Sequence, residues 1–179
     1  MTFPERIETE RLLLCWAQEA DAEEMFARYA SDPVVARYML WSPHKSAEGT
    51  REWLRSKLPE REAGPTFNWL IRLRSDGTLL GSIGCGVNKH TVQFGYCLAQ
   101  DAWGNGYATE ASRALVPLWS AAPGVWRVQA YCDPENVASA RVLEKTGLVR
   151  EGLLRRYIVT PNLSDEPRDV YVYARVRET

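Results

Sequence analysis

The sequence of 179 residues holds only two histidines and four cysteines. Cys15, Cys85, Cys97 and Cys132 are scattered, with no CxxC pair and no histidine at ligand spacing. That pattern argues against a zinc site or a disulfide framework, and no metal is expected. Reduced, buried thiols in a cytoplasmic protein are the expectation. The opening "MTFPERIETERLLL" is charged and carries no leader pattern, and no apolar run is long enough to span a bilayer. The net charge of -1 supplies no basic field to draw nucleic acid or an acidic membrane. Repeats, low-complexity tracts and linkers are missing, so one domain is expected over residues 1–179. Aromatic residues, by contrast, are plentiful. Seven Trp and eight Tyr are many for this length, and some are expected to line a pocket.

Hydrophobic periodicity divides the chain into strands and helices. "RLLLCW" (11–16) reads as a strand. "DAEEMFARYA" reads as a helix with Asp21 as N-cap and Glu24 at the capping-box position, presenting Ala22, Met25, Phe26 and Tyr29 on one face. A short helix follows, capped by Asp32 with Pro33 in its first turn. Residues 46 to about 58 carry Trp53, Leu54 and Leu58, and Pro59 is expected to end or bend that helix. "FNWLIRL", "LLGSIGCGV" and "TVQFGYCL" form an antiparallel meander, with Asp76-Gly77 as the first hairpin turn and "NKH" as the second. In the third strand Val92, Phe94, Tyr96 and Leu98 face one way, and Gln93, Gly95 and Cys97 the other. A helix from about Ala108 is expected to kink or stop near Val116, because Pro117 lies inside its pattern. "VWRVQAYC" is a strand. The helix after it starts with Asn136 as cap, uses Val137, Val142 and Leu143 for apolar contacts, and stops at Gly147-Leu148. "LLRRYIV", the loop "TPNLSDEPRD" and the strand "VYVYARV" complete a mixed α/β layer fold around one sheet.

The stretch "AWGNGYATEA" (102–111) links a strand to a helix through two glycines. Neither glycine is followed by the Lys of a P-loop, which excludes that NTPase motif. The third position of a dinucleotide fingerprint is Thr109, and an antiparallel meander precedes the loop, which argues against a Rossmann unit. A pyrophosphate held by backbone N–H groups at the helix start satisfies the pattern, and so does a plain tight turn.

Taken together, "ETERLLL", "GSIGCG", "FGYCLAQDAWGNGYATEA", "CDPENVASARVLEKTGL" and "RDVYVYA" resemble the GNAT superfamily of acyl-CoA N-acyltransferases. The local wording is similar to its RimJ/RimL-type branch of ribosomal-protein and small-amine acetyltransferases. The resemblance implies a mixed, mostly antiparallel sheet of about seven strands, splayed at its centre and covered by helices on both faces. It implies acetyl-CoA as co-substrate and a primary amine, a protein N-terminus or a small molecule, as acceptor. A homodimer is also compatible with it. By this resemblance Gly106 and Ala108 take the small positions of the family's loop, and Trp103 stands where Arg or Gln is frequent. The amides of Gly104, Asn105, Gly106, Tyr107, Ala108 and Thr109 would cradle the pyrophosphate. The strand around Cys97 and Leu98 would pair with the pantetheine arm, and the acetyl group would sit in the splay. Asn136 would contact the arm, Ser139 would give a proton to the coenzyme sulfur, and Arg141 reaches either the phosphates or the surface.

Acetyl transfer needs a neutral amine, a polarised thioester and a proton for the departing thiolate. Relatives in this branch often carry Glu two residues before the Gly-Tyr pair. Here that position is Gln93, and a glutamine orients a group but accepts no proton from an ammonium. The base is therefore sought among Asp133, His44, His90 and Tyr96, or the acceptor arrives neutral. The alternative is a module that binds acetyl-CoA and senses it without turnover. Trp41, Trp53, Phe67, Trp69 and Tyr157 are the aromatics that either build the acceptor pocket or fill the core, and "SDEPRD" either borders its entrance or is solvated.

Overall fold

The computed structural model describes residues 2–64 and 66–178, with the side chains of 58–63 left aside. Eight strands form one sheet: β1 (Arg6–Glu8), β2 (Leu12–Trp16), β3 (Thr66–Leu73), β4 (Leu79–Asn88), β5 (Thr91–Leu98), β6 (Arg127–Cys132), β7 (Val149–Ile158) and β8 (Arg168–Val176). Their spatial order is β1-β2-β3-β4-β5-β6-β8-β7. Every neighbouring pair is antiparallel except β5 and β6, which are parallel. The sheet thus has one strand more than the expected seven or so, because the three-residue β1 carries no alternation long enough to read.

Alternation in β3, β4 and β5 sends side chains to two faces. On one face Phe67, Trp69, Ile83 and Phe94 pack against Ala111, Leu115, Val116 and Trp119 of α4 (Tyr107–Ala121). On the other, Leu70, Leu79 and Cys97 meet Ala22, Met25, Tyr29, Val35 and Leu54. These belong to α1 (Ala22–Met25) with its wider turn Phe26–Ala30, to α2 (Pro33–Ala36) and to α3 (Ala47–Ala63). Helices therefore cover both faces. Trp119 is fully buried with its ring centroid 5.1 Å from that of Phe94, and its truncation to Ala would cost about 3–5 kcal/mol.

Local signals are met where the backbone itself decides. Gly77 adopts a left-handed φ of 78° in the β3–β4 turn. Asp32 caps α2 by accepting the Val34 N–H at 2.8 Å. α5 (Val137–Lys145) ends in a Schellman arrangement, with the Leu148 N–H on the Leu143 carbonyl and the Gly147 N–H on that of Glu144.

Four readings are corrected. α4 does not stop near Val116 but runs through Pro117 to Ala121, since losing one helical hydrogen bond is outweighed by burial of Leu115, Val116 and Trp119. α3 likewise does not end at Pro59 but extends to Ala63; the Leu58 side chain lies outside the described residues. The capping box belongs to the preceding turn, where Asp21 accepts from the Gln18 N–H at 2.7 Å, while Glu24 pairs with Arg72 at 2.7 Å. Val137 is exposed rather than packed.

Candidate active site

β5 and β6 share a ladder of only three registers, Thr91–Gln93 against Arg127–Gln129. Beyond these, β5 stays bonded to β4 as far as Leu98, and β6 to β8 as far as Cys132. Held by their outer neighbours, the two strands part on their inner edges. Backbone groups on those edges lose a ladder partner and require another. A cavity of about 370 Å³ opens here, lined by Gln93 to Cys97 on one side and Ala130 to Asp133, Asn136, Ser139 and Leu143 on the other.

α5 brings two polar side chains to this gap. The Asn136 Oδ1 accepts the Ser139 N–H at 3.1 Å, which caps the helix and leaves the Asn136 Nδ2 hydrogens for another partner. The Ser139 Oγ lies 2.9 Å from the Tyr96 Oη, so a hydrogen bond joins β5 to α5 across the cavity. Burial pushes the Tyr96 phenol far above its usual range, and it stays protonated at neutral pH. Burial also raises the Cys132 thiol, to about 11, so this neighbour is no thiolate.

The glycine loop has left-handed φ angles at Gly104 (77°) and Gly106 (79°). The N-cap of α4 is Gly106, which has no side chain to cap the helix, so the N–H groups of its first turn can bind an anion with the helix dipole behind them. The loop is braced from both sides. Trp103 Nε1 donates to the Leu98 carbonyl at 2.8 Å, and Asn105 Nδ2 to the Trp103 carbonyl at 3.0 Å. Arg11 donates to the Asn105 carbonyl at 3.1 Å and to Glu110 at 2.7 Å, with its guanidinium over the Tyr107 ring. Arg141 is exposed and forms no ion pair among the described residues. The Cys97 thiol turns away, to Ser82 Oγ at 3.5 Å, so that only its backbone is available to a ligand in the splay.

The opposite side of the cavity is floored by β3–β5. Asn68, Gly84 and Gly95 stand in register across three strands. A Cβ at Gly84 would lie 2.2 Å from the Asn68 Oδ1, so that glycine makes room for the amide, whereas Gly95 is open. Trp41, Trp53 and Tyr131 add aromatic wall. Gln93 accepts from Gln129 Nε2 at 3.4 Å; that same nitrogen donates to Tyr131 Oη at 3.0 Å, and Tyr131 meets Tyr157 at 3.1 Å.

The proposed bases fare differently. Asp133 is buried and paired with Arg168 at 2.8 Å. His90 is exposed in the turn before β5, at the closed end of the splay. His44 holds Thr50 Oγ1 at 2.7 Å and sits beside the rings of Trp41 and Trp53, and burial lowers its pKa. Burial keeps the Tyr96 phenol protonated, so it supplies no base at neutral pH. Phe67 and Trp69 are core residues, at 1% and 0% exposure. Asn68, Ser82, Gln129 and Tyr131 went unread in the sequence. Gly84 and Gly86 of "GSIGCG", two residues apart, were the available signal, since with Ser82 they leave one face of β4 nearly bare.

Comparison with known proteins gives this geometry a family. Residues 11–149 match the model of the acetyltransferase (GNAT) domain. An uncharacterized N-acetyltransferase of Bacillus subtilis, YoaA, is 31% identical over 174 residues, covering 96% of each chain. A solved GNAT-family acetyltransferase from Bacillus anthracis is 29% identical with a TM-score of 0.82, covering 96% of this chain and 98% of that one. RimL, a ribosomal L7/L12 alpha-N-protein acetyltransferase solved with coenzyme A, shares the fold at a TM-score of 0.86 and 21% identity, over 96% of this chain and 98% of its own. The chain belongs to the GNAT family of acetyltransferases, as an acetyl-CoA-dependent N-acetyltransferase.

Proposed function

We propose that the parted edges of β5 and β6 seat the pantetheine arm and thioester of acetyl-CoA, and that a weakly basic primary amine enters over the Gly95 floor. The short β5–β6 ladder carries this reading, because it leaves backbone donors and acceptors facing a gap that an amide-bearing arm pairs with as an added strand does. The first-turn amides of α4 hold the pyrophosphate, and Asn136 Nδ2 bonds the arm.

The amine nitrogen attacks the thioester carbonyl carbon, and the carbon–sulfur bond then breaks. The leaving sulfur takes a proton from the Tyr96–Ser139 pair, whose hydroxyls are 2.9 Å apart, and the proton shed by the acylated nitrogen passes to solvent, from which the pair regains its own. No enzyme acyl intermediate is needed. The attacking amine has to be neutral, and Gln93 takes no proton from it. An α-amine with a pKa near 8 is neutral in about one molecule in ten at pH 7, whereas a lysine near 10.4 is neutral in roughly one in 2,500. That difference of about 250-fold favours a protein or peptide N-terminus, or a small amine of similar basicity, over lysine and polyamines.

Calorimetry with acetyl-CoA, followed by thiol release with peptides bearing free α-amines, N-acetylated lysine peptides and polyamines, tests the reading. Faster release with α-amines supports it. Preference for lysine peptides or polyamines contradicts the acceptor choice. Tight binding without release on any amine points to a sensing module, and no binding contradicts the donor site itself.

A further inference from the structure

Two walls of the cavity come from segments far apart in the chain. One is Tyr38–Trp41, the stretch that follows α2; the other includes Ile158 and Thr160, at the end of β7. α2 ends at Ala36, and the carbonyls at a helix end need partners from outside the helix. The Met39 N–H reaches the Ala36 carbonyl at 2.8 Å and tightens the turn. The Asn162 amide adds a second partner there and reaches the following stretch. Its Nδ2 donates to the Ala36 carbonyl at 2.6 Å and to the Trp41 carbonyl at 2.8 Å, with the Met39 carbonyl at 3.5 Å. Both amide hydrogens are thereby used on the two shorter contacts.

Asn162 is itself aimed by a compact turn. The buried Thr160 accepts the N–H groups of Leu163 and Ser164 at 2.9 and 3.0 Å. Among the described residues, no other hydrogen bond joins 158–164 to 36–41. We propose that Asn162 is a positioning residue for the acceptor. It latches the C-terminal loop to the Tyr38–Trp41 wall and fixes that side of the cavity around the incoming amine. The donor side rests on other elements, namely the glycine loop, Asn136 and Ser139. Loosening the latch therefore changes acceptor handling and leaves acetyl-CoA binding alone. A shift of about 1 Å in such a wall costs on the order of 100-fold in a positioned reaction.

The assignment of this side to the acceptor rests on the function proposed above, so the test has one arm that does not need turnover. Asn162→Ala removes the latch; Asn162→Asp keeps its size but has no hydrogens to donate. Hydrogen exchange at residues 37–42 is expected to rise about tenfold in both variants, with β3–β5 unchanged. With trialanine amide as acceptor, its KM is expected to rise about tenfold while the KM for acetyl-CoA stays within about twofold. Unchanged exchange at 37–42 overturns the latch. Parallel rises in both KM values, or wild-type behaviour of Asn162→Asp, overturn the positioning role. A wild-type enzyme that acetylates no amine in the panel defeats the function proposed above, and the exchange arm then decides the latch on its own.

Discussion

The hydroxyl of Tyr96 on β5 meets the hydroxyl of Ser139 on α5 at 2.9 Å, across the gap where the sheet parts. One partner comes from the meander and the other from the first turn of α5, 43 residues later. Burial holds the phenol in its protonated form. In the proposed reaction the pair acts as one proton-donating unit, so Tyr96→Phe and Ser139→Ala should each lower kcat about 100-fold with little change in the KM for acetyl-CoA. The double variant should be hardly worse than either single one. Additive losses in steady-state kinetics would mean that the two hydroxyls act independently.

The glycine loop makes a separate prediction. Gly106 holds a φ of 79°, and a Cβ there would come no closer than 3.7 Å to the Arg11 guanidinium. Space is available, so the cost of Gly106→Ala is backbone strain, about 1 kcal/mol. Relaxation of that strain turns the first-turn amides of α4. The KM for acetyl-CoA should rise several-fold while the acceptor KM stays put. Thermal melts and kinetics on the purified variant check both halves.

Glu110 links this loop to the N-terminal segment. Burial by itself would raise its carboxyl pKa, but the bonds from the Thr9 hydroxyl, the Arg11 N–H and the Arg11 guanidinium outweigh that and leave it lowered. A folded-state pKa below the unfolded value stabilises the fold above the usual carboxylate range, and the contribution fades as pH falls through the lowered value. Glu110→Gln should therefore cost about 1 kcal/mol at pH 7. Urea melts of both proteins should converge as pH falls through the lowered pKa, and a gap that is constant with pH would contradict this assignment.

Gln93 leads to a pH experiment. With no enzyme base, kcat/KM should rise with pH and level off at the acceptor's own pKa. Two acceptors of different basicity should shift the profile by the difference between their pKa values. Gln93→Glu should speed acetylation of lysine peptides. A profile that ignores the acceptor would locate a base in the protein.

What was legible in the sequence was local. The Asp76-Gly77 turn, the Asn136 cap, the Gly147 stop and the small residues around Gly106 each follow from the backbone needs of a few neighbouring residues. The loop and helix start proposed for the donor could be located for the same reason, since each is a contiguous stretch. The splay came only with the family resemblance, because it depends on where the β5–β6 ladder stops while β4 and β8 keep their hold. The contacts of Asn162, which span more than 120 residues, were not legible. Asp133 had the right chemistry for a base until Arg168 was found beside it. Pro117 broke the helical pattern on paper, but the burial of Trp119 carries α4 past it.

A crystal structure of the protein with coenzyme A tests the central claim most directly. The account predicts the pantetheine arm between the parted edges of β5 and β6, with its sulfur within about 3.5 Å of Ser139 Oγ or Tyr96 Oη and its pyrophosphate on the first-turn amides of α4. Coenzyme A bound elsewhere, or with its sulfur out of hydrogen-bond reach of both hydroxyls, would contradict it.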